Sequence, residues 1–159
     1  MSGSSGQGSV ERVRAALLAA GHPDTIAAFP AGTRTAADAA AAVGCEVAQI
    51  AKSIVFWAGG RAAVIITSGA NRVDTAKAEA ALGVKLLRAD ADWVRETTGF
   101  AVGGVAPIGY LAPPLLLDED LLALDPIWAA AGSPSHVFST TAEALRRMTG
   151  ARTAPVRVS

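Results

Sequence analysis

Side chains that build metal and nucleophile sites are scarce in this 159-residue chain. The only cysteine is Cys45, which excludes an internal disulfide and a cysteine-rich metal site. His22 and His136 are the two histidines, too few for an ordinary zinc site or for a convincing Ser/His/Asp or Cys/His set. We therefore expect neither a metal nor another cofactor, and any catalysis must use other groups.

Aromatic residues are few, and neither sign of charge is in excess. Tryptophan, phenylalanine and tyrosine together make up 5% of the chain, too little for a stacking platform that follows single-stranded RNA. Lys plus Arg and Asp plus Glu both total 14, so the formal net charge is zero. Proteins that hold nucleic acid mainly through phosphates usually carry a basic excess. Any nucleic-acid contact is therefore expected to be small and local.

Long apolar runs are also missing. No run approaches the length of a membrane span, and the N-terminus lacks the apolar segment of a signal peptide. These absences predict a cytoplasmic protein without a membrane partner. Hydrophobic residues nevertheless make up 51% of the chain, enough to bury a core of one-domain size. We predict a flexible leader over residues 1–8 (MSGSSGQG) and a single domain over residues 9–159.

Helix boundaries are predicted from capping residues and from glycines that follow each apolar stripe. The first helix is predicted over residues 9–20 with Ser9 as its N-cap. Four more are predicted to begin at polar caps and to end near a glycine: Thr35 to Gly44, Asp74 to Gly83, Asp90 to about Thr97, and Thr140, in a capping box with Glu143, to about Met148.

A β-hairpin is predicted where Lys52–Trp57 and Arg61–Thr67 flank Gly59-Gly60. Shorter strands alternate irregularly with the helices, whereas a purely parallel sheet would need a crossover helix between each strand pair. The predicted fold class is therefore α/β (α+β), with a mixed, mostly antiparallel sheet surrounded by helices. The other predicted strands cover residues 25–29, 84–87, 115–117, 127–130, 136–139 and 155–158.

Lys52 opens an apolar strand in AQIAKSIVFW. Burying an ammonium without a partner is costly, so one interpretation is a strand-edge lysine whose amine reaches solvent. The other is a cation held at a cleft, where it can bind phosphate or polarise a carbonyl.

Two loops could accompany such a cation. Gly103–Gly109 (GGVAPIG) is rich in glycine and proline, which lets backbone N–H groups approach an anion, although such a segment is often only a turn. Ser68–Asp74 (SGANRVD) follows an apolar strand, where ligand-binding side chains often lie. The alternative for this second loop is an Asx turn followed by the helix cap Asp74.

Other polar residues are interpreted as structural. Cys45 has no histidine near it in the sequence and is predicted to be a packed or partly exposed structural thiol, and His136 precedes an apolar strand. The consecutive acidic residues Asp118, Glu119 and Asp120 are predicted to form a solvated turn. The three tryptophans are predicted to be core residues or pocket walls.

Taken together, three segments resemble the YbaK/ProX family of prolyl-tRNA synthetase-associated editing domains. They are TRTAADAAAAVGCEVAQIAKSIVF at Thr33–Phe56, SGANRVD at Ser68–Asp74 and TGFAVGGVAPIG at Thr98–Gly109. The similarity continues to TGA at Thr149–Ala151. The order and spacing of the segments make the resemblance far more specific than any one of them.

The resemblance implies a mixed-sheet fold and hydrolysis, in trans, of mischarged aminoacyl-tRNA. The family lysine falls on Lys52, and its G-x-x-x-P signature falls on Gly103 and Pro107. Family members remove alanine, cysteine or other small amino acids. The implied partners are the acceptor end of an aminoacyl-tRNA and, transiently, prolyl-tRNA synthetase or another synthetase. The sequence leaves open whether the protein is a monomer or a homodimer.

We therefore predict that Lys52 and the backbone N–H groups of Gly103 and Gly104 hold the ester and the terminal nucleotide. A non-catalytic module that binds a tRNA end or a nucleotide, and a regulatory domain that binds a small molecule, are the alternatives. Further substrate contacts are predicted for Arg34, Ser53, Gly69, Asn71, Arg72 and Pro107, and pocket walls for Ile50, Ile66, Phe100 and Val102.

Overall fold

A computed structural model of the protein describes residues 4–29, 35–101, 103–109 and 114–159. These residues build one central sheet of eight strands with five α-helices around it. The mixed α/β fold predicted from the irregular alternation of strands and helices is confirmed. The strands are β1 (Ile26–Ala28), β2 (Ile50–Ala58), β3 (Arg61–Ser68), β4 (Leu87–Arg88), β5 (Leu116–Asp118), β6 (Ile127–Ser133), β7 (His136–Thr140) and β8 (Arg152–Ala154).

The sheet combines hairpins with crossover connections. Its strand order is β1-β7-β6-β2-β3-β5-β8, and β4 pairs with the far end of β2. The pairs β1–β7, β7–β6, β2–β3 and β2–β4 are antiparallel, whereas β2–β6, β3–β5 and β5–β8 are parallel. The predicted hairpin is therefore the β2–β3 pair. Its turn residues Gly59 and Gly60 both have positive φ angles, as a two-residue turn of this kind requires.

Four of the five helices begin and end with local capping signals. Each begins after a Thr or Asp whose side chain accepts a hydrogen bond from a backbone N–H in the first turn, and each ends at a left-handed glycine. The exception is the first helix, which starts before the predicted N-cap Ser9. The helices are α1 (Ser4–Ala19), α2 (Ala36–Val43), α3 (Thr75–Leu82), α4 (Ala91–Thr98) and α5 (Ala142–Thr149).

Three further predicted boundaries are wrong. Thr140 is the last residue of β7 and pairs with Ile127, so the cap of α5 is Thr141, whose hydroxyl accepts from the Ala144 N–H. The final strand lies at 152–154 instead of 155–158, because this earlier segment pairs with β5. The strand predicted at 84–87 is the short β4, Leu87–Arg88.

None of the helices among the described residues combines the length and apolar character needed to span a bilayer. The two faces of the sheet instead bury separate apolar clusters. Adjacent residues of β3 show this alternation, since Ile66 packs in the larger cluster with Phe100 and Ile65 packs in the smaller one with Leu116. The larger cluster also receives Leu17 of α1.

Helix α1 packs directly on β6 at Gly132. A Cβ atom at this position would lie 2.7 Å from the Ser9 carbonyl oxygen and 3.0 Å from the Val10 nitrogen, and the φ angle is +97°. Glycine is therefore required twice, by the close approach of the helix backbone and by the backbone conformation.

Gly132→Ala should lower the free energy of unfolding by about 2–4 kcal/mol, because it adds a backbone clash to the cost of a positive φ. Gly60→Ala is the matched control, since its φ is +92° but nothing lies within 4 Å of the added carbon. That variant should lose only about 1–2 kcal/mol. Urea unfolding followed by circular dichroism measures both, and equal losses would contradict the packing of α1 on β6.

Candidate functional site

Strands β2 and β6 separate almost as soon as they meet. Their parallel pairing covers only two positions and ends at Ala51–Ala129. Strand β4 joins the same edge of β2 from Phe56 onward, while β3 pairs along the whole opposite edge. Among the described residues, no strand pairs with residues 52–55 of β2 on this edge. The sheet therefore has an internal opening in which backbone groups face a gap.

A cavity of about 410 Å³ lies at this opening. Its volume falls within the range of about 300–1,000 Å³ that small-molecule sites occupy. Most of its lining is apolar, and the polar side chains in it are Thr35, Lys52 and Ser53. We call this cavity the cleft. Its other walls are Ala36 and Ala39 of α2, Ile50, Ala51 and Ile54 of β2, Gly103 and Val105, Trp128–Ala130 of β6, and Val137 of β7.

Lys52 is half-buried at the cleft, and its Nζ donates a hydrogen bond to the Asn71 carbonyl oxygen at 3.1 Å. The pKa of the Lys52 ammonium is lowered from its ordinary value, first because burial removes water and second because the positive charge of Arg72 repels it. The ammonium thus contacts a backbone carbonyl at the rim of the cleft while the side chain is only half-buried. The role of Lys52 in binding or catalysis stays a prediction.

Ser53 is the next residue of β2, so its side chain lies on the opposite face of the sheet from that of Lys52. Its hydroxyl oxygen is buried and has no hydrogen-bond partner among the described residues. Leaving a buried hydroxyl unpaired costs about 1–3 kcal/mol. The Ser53 hydroxyl is therefore an unsatisfied polar group next to the cleft, and its oxygen is closed off from solvent in this structure.

Of the two loop glycines, Gly103 lines the cleft and Gly104 packs on the sheet. Gly103 lines the cleft and has a φ angle of +91°, a conformation that favours glycine. The Gly104 N–H instead donates to the Ala101 carbonyl within the loop at 2.9 Å. A Cβ on Gly104 would lie 2.8 Å from Ser133 Cα, so this glycine seats the loop on the backbone of β6. The prediction that the Gly104 N–H faces a substrate is wrong.

Pro107 does not line the cleft. It lies beside a separate, smaller cavity next to Ile108 and Met148. Gly104 packs on β6 beside the opening, but Pro107, three residues later, lies away from the opening. Its predicted contact with substrate is therefore replaced by a role in shaping the loop.

The Ser68–Asn71 loop packs against the wall of the cleft through its backbone. The Gly69 N–H donates to the Ile50 carbonyl at 2.6 Å. A Cβ on Gly69 would collide with the Val47 carbonyl oxygen and lie 2.9 Å from Ala36 Cβ. Gly69 therefore permits a close approach between two backbone segments and does not line the cleft.

Asn71 and Arg72 also lie outside the cleft lining. The Asn71 Nδ2 donates to carboxylate oxygens of Asp118 and Asp120, both at 2.8 Å. Arg72 is exposed, and its effect on the site is the electrostatic one on Lys52. Because its amide is engaged by two carboxylates, Asn71 contributes its carbonyl oxygen to the site and not its side chain.

Asp118 corrects the prediction of a solvated acidic turn. Its side chain is fully buried, and its Oδ2 accepts hydrogen bonds from Thr67 Oγ1, the Ser68 N–H and Asn71 Nδ2. Its Oδ1 accepts from the Asp120 N–H. The apolar run LLL that precedes Asp118 was the available signal, because the buried strand continues one residue beyond it.

The predicted pocket walls are only partly correct. Ile50 lines the cleft, but Ile66 and Phe100 are fully buried in the larger core cluster and do not line it. Arg34 and Val102 lie outside the described residues. Sequence patterns missed the wall residues Val105 and Val137, because the separation of two strands, and not local sequence, creates the opening. Trp128 is a wall of the cleft, which was one of the two roles predicted for the tryptophans.

Known proteins share this architecture. Residues 30–148 match the aminoacyl-tRNA editing domain. A Bacillus subtilis (strain 168) relative, the uncharacterized protein YwhH, is 27% identical over 139 residues, which cover 86% of this chain and 88% of the relative. The match to the domain extends over well more than half of the chain and includes β2, the Ser68–Asn71 loop and Gly103.

Two solved structures superpose over nearly the whole fold. One is of a protein provisionally described as a trans-editing enzyme for prolyl-tRNA synthetase; it is 44% identical, with a TM-score of 0.88 and coverage of 95% of this chain and 98% of that chain. The other, hypothetical protein APE2540, is 26% identical, with a TM-score of 0.86 and coverage of 92% and 99%. By its sequence match and its fold, the chain belongs to the aminoacyl-tRNA editing domain family.

Proposed function

We propose that this protein is an aminoacyl-tRNA deacylase, which hydrolyses the ester between a wrongly attached small amino acid and the 3′ end of a tRNA. The single observation that carries the proposal is that Lys52 and Gly103 line one cleft in a member of the editing domain family. The relative provisionally described as a trans-editing enzyme supports action on a free aminoacyl-tRNA.

The reaction requires a placed water molecule and stabilisation of the oxyanion that develops on the ester carbonyl. The described lining of the cleft holds a cation but contains no carboxylate, imidazole or thiol side chain. Positioning and electrostatic stabilisation therefore carry the catalysis, with Lys52 and the Gly103 backbone holding the ester and the terminal nucleotide. A ribose hydroxyl of the substrate assists the attacking water.

Selection of the amino acid depends on the space that remains beside the terminal ribose. Ile50, Trp128 and Val137 supply the bulky walls of the cleft, and the Ser53 hydroxyl supplies a polar contact. A larger side chain is excluded sterically, since one methylene in an apolar pocket changes binding by about 1–3 kcal/mol. The preferred substrates are therefore esters of small amino acids.

The proposed partner is the acceptor end of a mischarged tRNA, with prolyl-tRNA synthetase or another synthetase as a transient partner. The zero formal net charge fits a contact with the end of a tRNA better than one with a long duplex. Because its substrate is made where translation takes place, the protein acts in the cytoplasm and serves translation fidelity.

Lys52→Ala should reduce kcat/KM for deacylation of mischarged tRNA by about tenfold to a hundredfold, the scale of losing one charged stabilising contact. Release of labelled amino acid from alanyl, seryl, threonyl, cysteinyl and 2-aminobutyryl esters on several tRNAs measures the effect. Lys85→Ala is the matched control, because it removes the same charge from an exposed loop residue outside the cleft.

Parental activity in Lys52→Ala would contradict the assignment of this residue. A parent protein that binds mischarged tRNA and protects its ester would instead identify a non-catalytic binding module. Gel-shift titration at fixed salt separates that outcome from a domain without an RNA partner.

Ser53→Ala should separate stability from activity. Removing a buried hydroxyl that has no partner in the described part of the chain should leave the free energy of unfolding unchanged or raise it by about 1 kcal/mol. Deacylation should nevertheless fall about tenfold, the value of one lost hydrogen bond to the substrate. Ser139→Ala, at a half-buried serine of β7 outside the cleft, is the control for both measurements. Undiminished deacylation by Ser53→Ala would exclude the hydroxyl from substrate binding.

Ile50→Val should relax selection against larger amino acids. Removing one methylene from the wall should raise the ratio of leucyl to alanyl ester hydrolysis by about tenfold. Ile65→Val removes the same methylene from the smaller core cluster and should leave that ratio unchanged. Parallel single-turnover assays on the two esters measure the ratio, and an equal change in both variants would show that general loosening of the core, not the cleft wall, sets it.

A further inference from the structure

We propose that Asp118 is a positioning residue for Lys52. Its buried carboxylate fixes the Ser68–Asn71 loop, and the loop in turn fixes the ammonium through the Asn71 carbonyl oxygen. The inference rests on the proposed function, because it assigns Asp118 a role in the reaction through Lys52 and not through direct contact with substrate.

The first step is the binding of the loop by the carboxylate. Asp118 is fully buried, and every hydrogen-bond donor that reaches it among the described residues is neutral. Three of these donors belong to Thr67, Ser68 and Asn71, where β3 ends and the loop begins. A buried carboxylate is tolerated only when hydrogen bonds replace its water. The carboxylate and the end of β3 therefore constrain each other.

The second step is the placement of the loop against β2. The Ser68 hydroxyl donates to the Ala48 carbonyl at 2.7 Å, and the Gly69 N–H donates to the Ile50 carbonyl at 2.6 Å. These contacts fix the start of the loop, and the Asn71 N–H closes the turn by donating to the Ser68 carbonyl at 2.9 Å. The Asn71 side chain adds the contacts with the two carboxylates. The Asn71 side chain is consequently the link between the buried carboxylate of Asp118 and the carbonyl that faces Lys52.

The third step is the contact with the cation. The Asn71 carbonyl accepts from Lys52 Nζ at 3.1 Å. Because Lys52 is half-buried and Arg72 adds a like charge, the pKa of its ammonium is lowered from the ordinary value. A loop that lost its hold on Asp118 would let the ammonium move toward water and away from the ester.

An amide cannot replace this carboxylate without conflict. In Asp118→Asn, if the new amide oxygen took the position of Oδ2, the NH₂ group would face the Asp120 N–H. In the opposite orientation the NH₂ group would face the three donors from Thr67, Ser68 and Asn71. In either orientation Asp118→Asn therefore loses one of the two sets of hydrogen bonds, while the volume of the side chain hardly changes.

The test combines two variants with a readout on Lys52 itself. Asn71→Ala removes the hydrogen bond between the loop and Asp118 without changing the charge of the protein. It alters only a half-buried loop side chain, so the measurement can still be made if Asp118→Asn does not fold. The chain has three lysines, Lys52, Lys77 and Lys85, so the titration of the Lys52 side chain can be followed by ¹³C-lysine NMR. In Asn71→Ala the pKa of Lys52 should rise toward its ordinary value.

The kinetic expectation is a fall in kcat of about tenfold for both variants, with KM changed less than about twofold, because a displaced cation weakens transition-state stabilisation more than binding. In a Lys52→Ala background, Asn71→Ala should cause no further loss. Asp120→Asn is the control: its amide oxygen can still accept from Asn71, so the Lys52 titration should match that of the parent protein.

An unchanged Lys52 titration in Asn71→Ala, or an additive loss of activity in the double variant, would overturn the proposal. A shift of the Lys52 pKa in Asp120→Asn as large as that in Asn71→Ala would overturn it as well, since the loss of any nearby contact would then be enough to change the Lys52 titration. A parent protein without deacylase activity refutes the proposed function only, and the NMR comparison still decides whether Asp118 and its loop position Lys52.

Discussion

The early separation of β2 from β6 is the constraint on which the site depends. Two parallel strands that stayed paired would use their backbone groups on each other and leave no space at the centre of the sheet. Here the pairing stops at Ala51–Ala129, and the Gly103–Gly104 loop packs beside the opening on the backbone of β6. The cleft thus lies where, among the described residues, β2 has no strand partner on one edge, and its apolar walls are supplied by the strands and by α2.

The cation at this cleft is positioned from outside it. Lys52 and Ser53 are neighbours in sequence, but strand alternation directs them to opposite faces of the sheet, so they reach the same opening in different ways. The serine belongs to the wall, where its hydroxyl is buried. The lysine lies at the rim, where the carbonyl of Asn71 replaces part of its lost hydration. Asp118 on β5 is thereby connected to Lys52 on β2 through the hydrogen bonds of Asn71.

Local signals predicted most of the fold. Asp74 and Asp90 were identified as caps and Gly59-Gly60 as a hairpin turn, because each of these signals acts within a few residues. Boundaries failed where pairing between distant segments decided them. Thr140 has the chemistry of a cap, but its pairing with Ile127 keeps it in β7 and leaves the cap to Thr141.

The site was predictable in its residue types more than in its geometry. The resemblance carried by its motifs selected Lys52 and Gly103, and both line the cleft. Ile66 and Phe100 looked equally suitable as walls, because apolar character does not distinguish a side chain in the core from one at an opening. Asp118 was mistaken for a surface residue, since only the folded sheet brings the donors of Thr67, Ser68 and Asn71 to its carboxylate.

The opening in the sheet also has a consequence for self-association. A long strand edge with free N–H and C=O groups invites another chain to add to it, and this is a common start of aggregation. In this fold the stretch of β2 that has no strand partner among the described residues lies between the ends of β6 and β4, which limit it to a few residues. A small ligand can use those backbone groups, whereas a neighbouring polypeptide finds too little length to form a ladder.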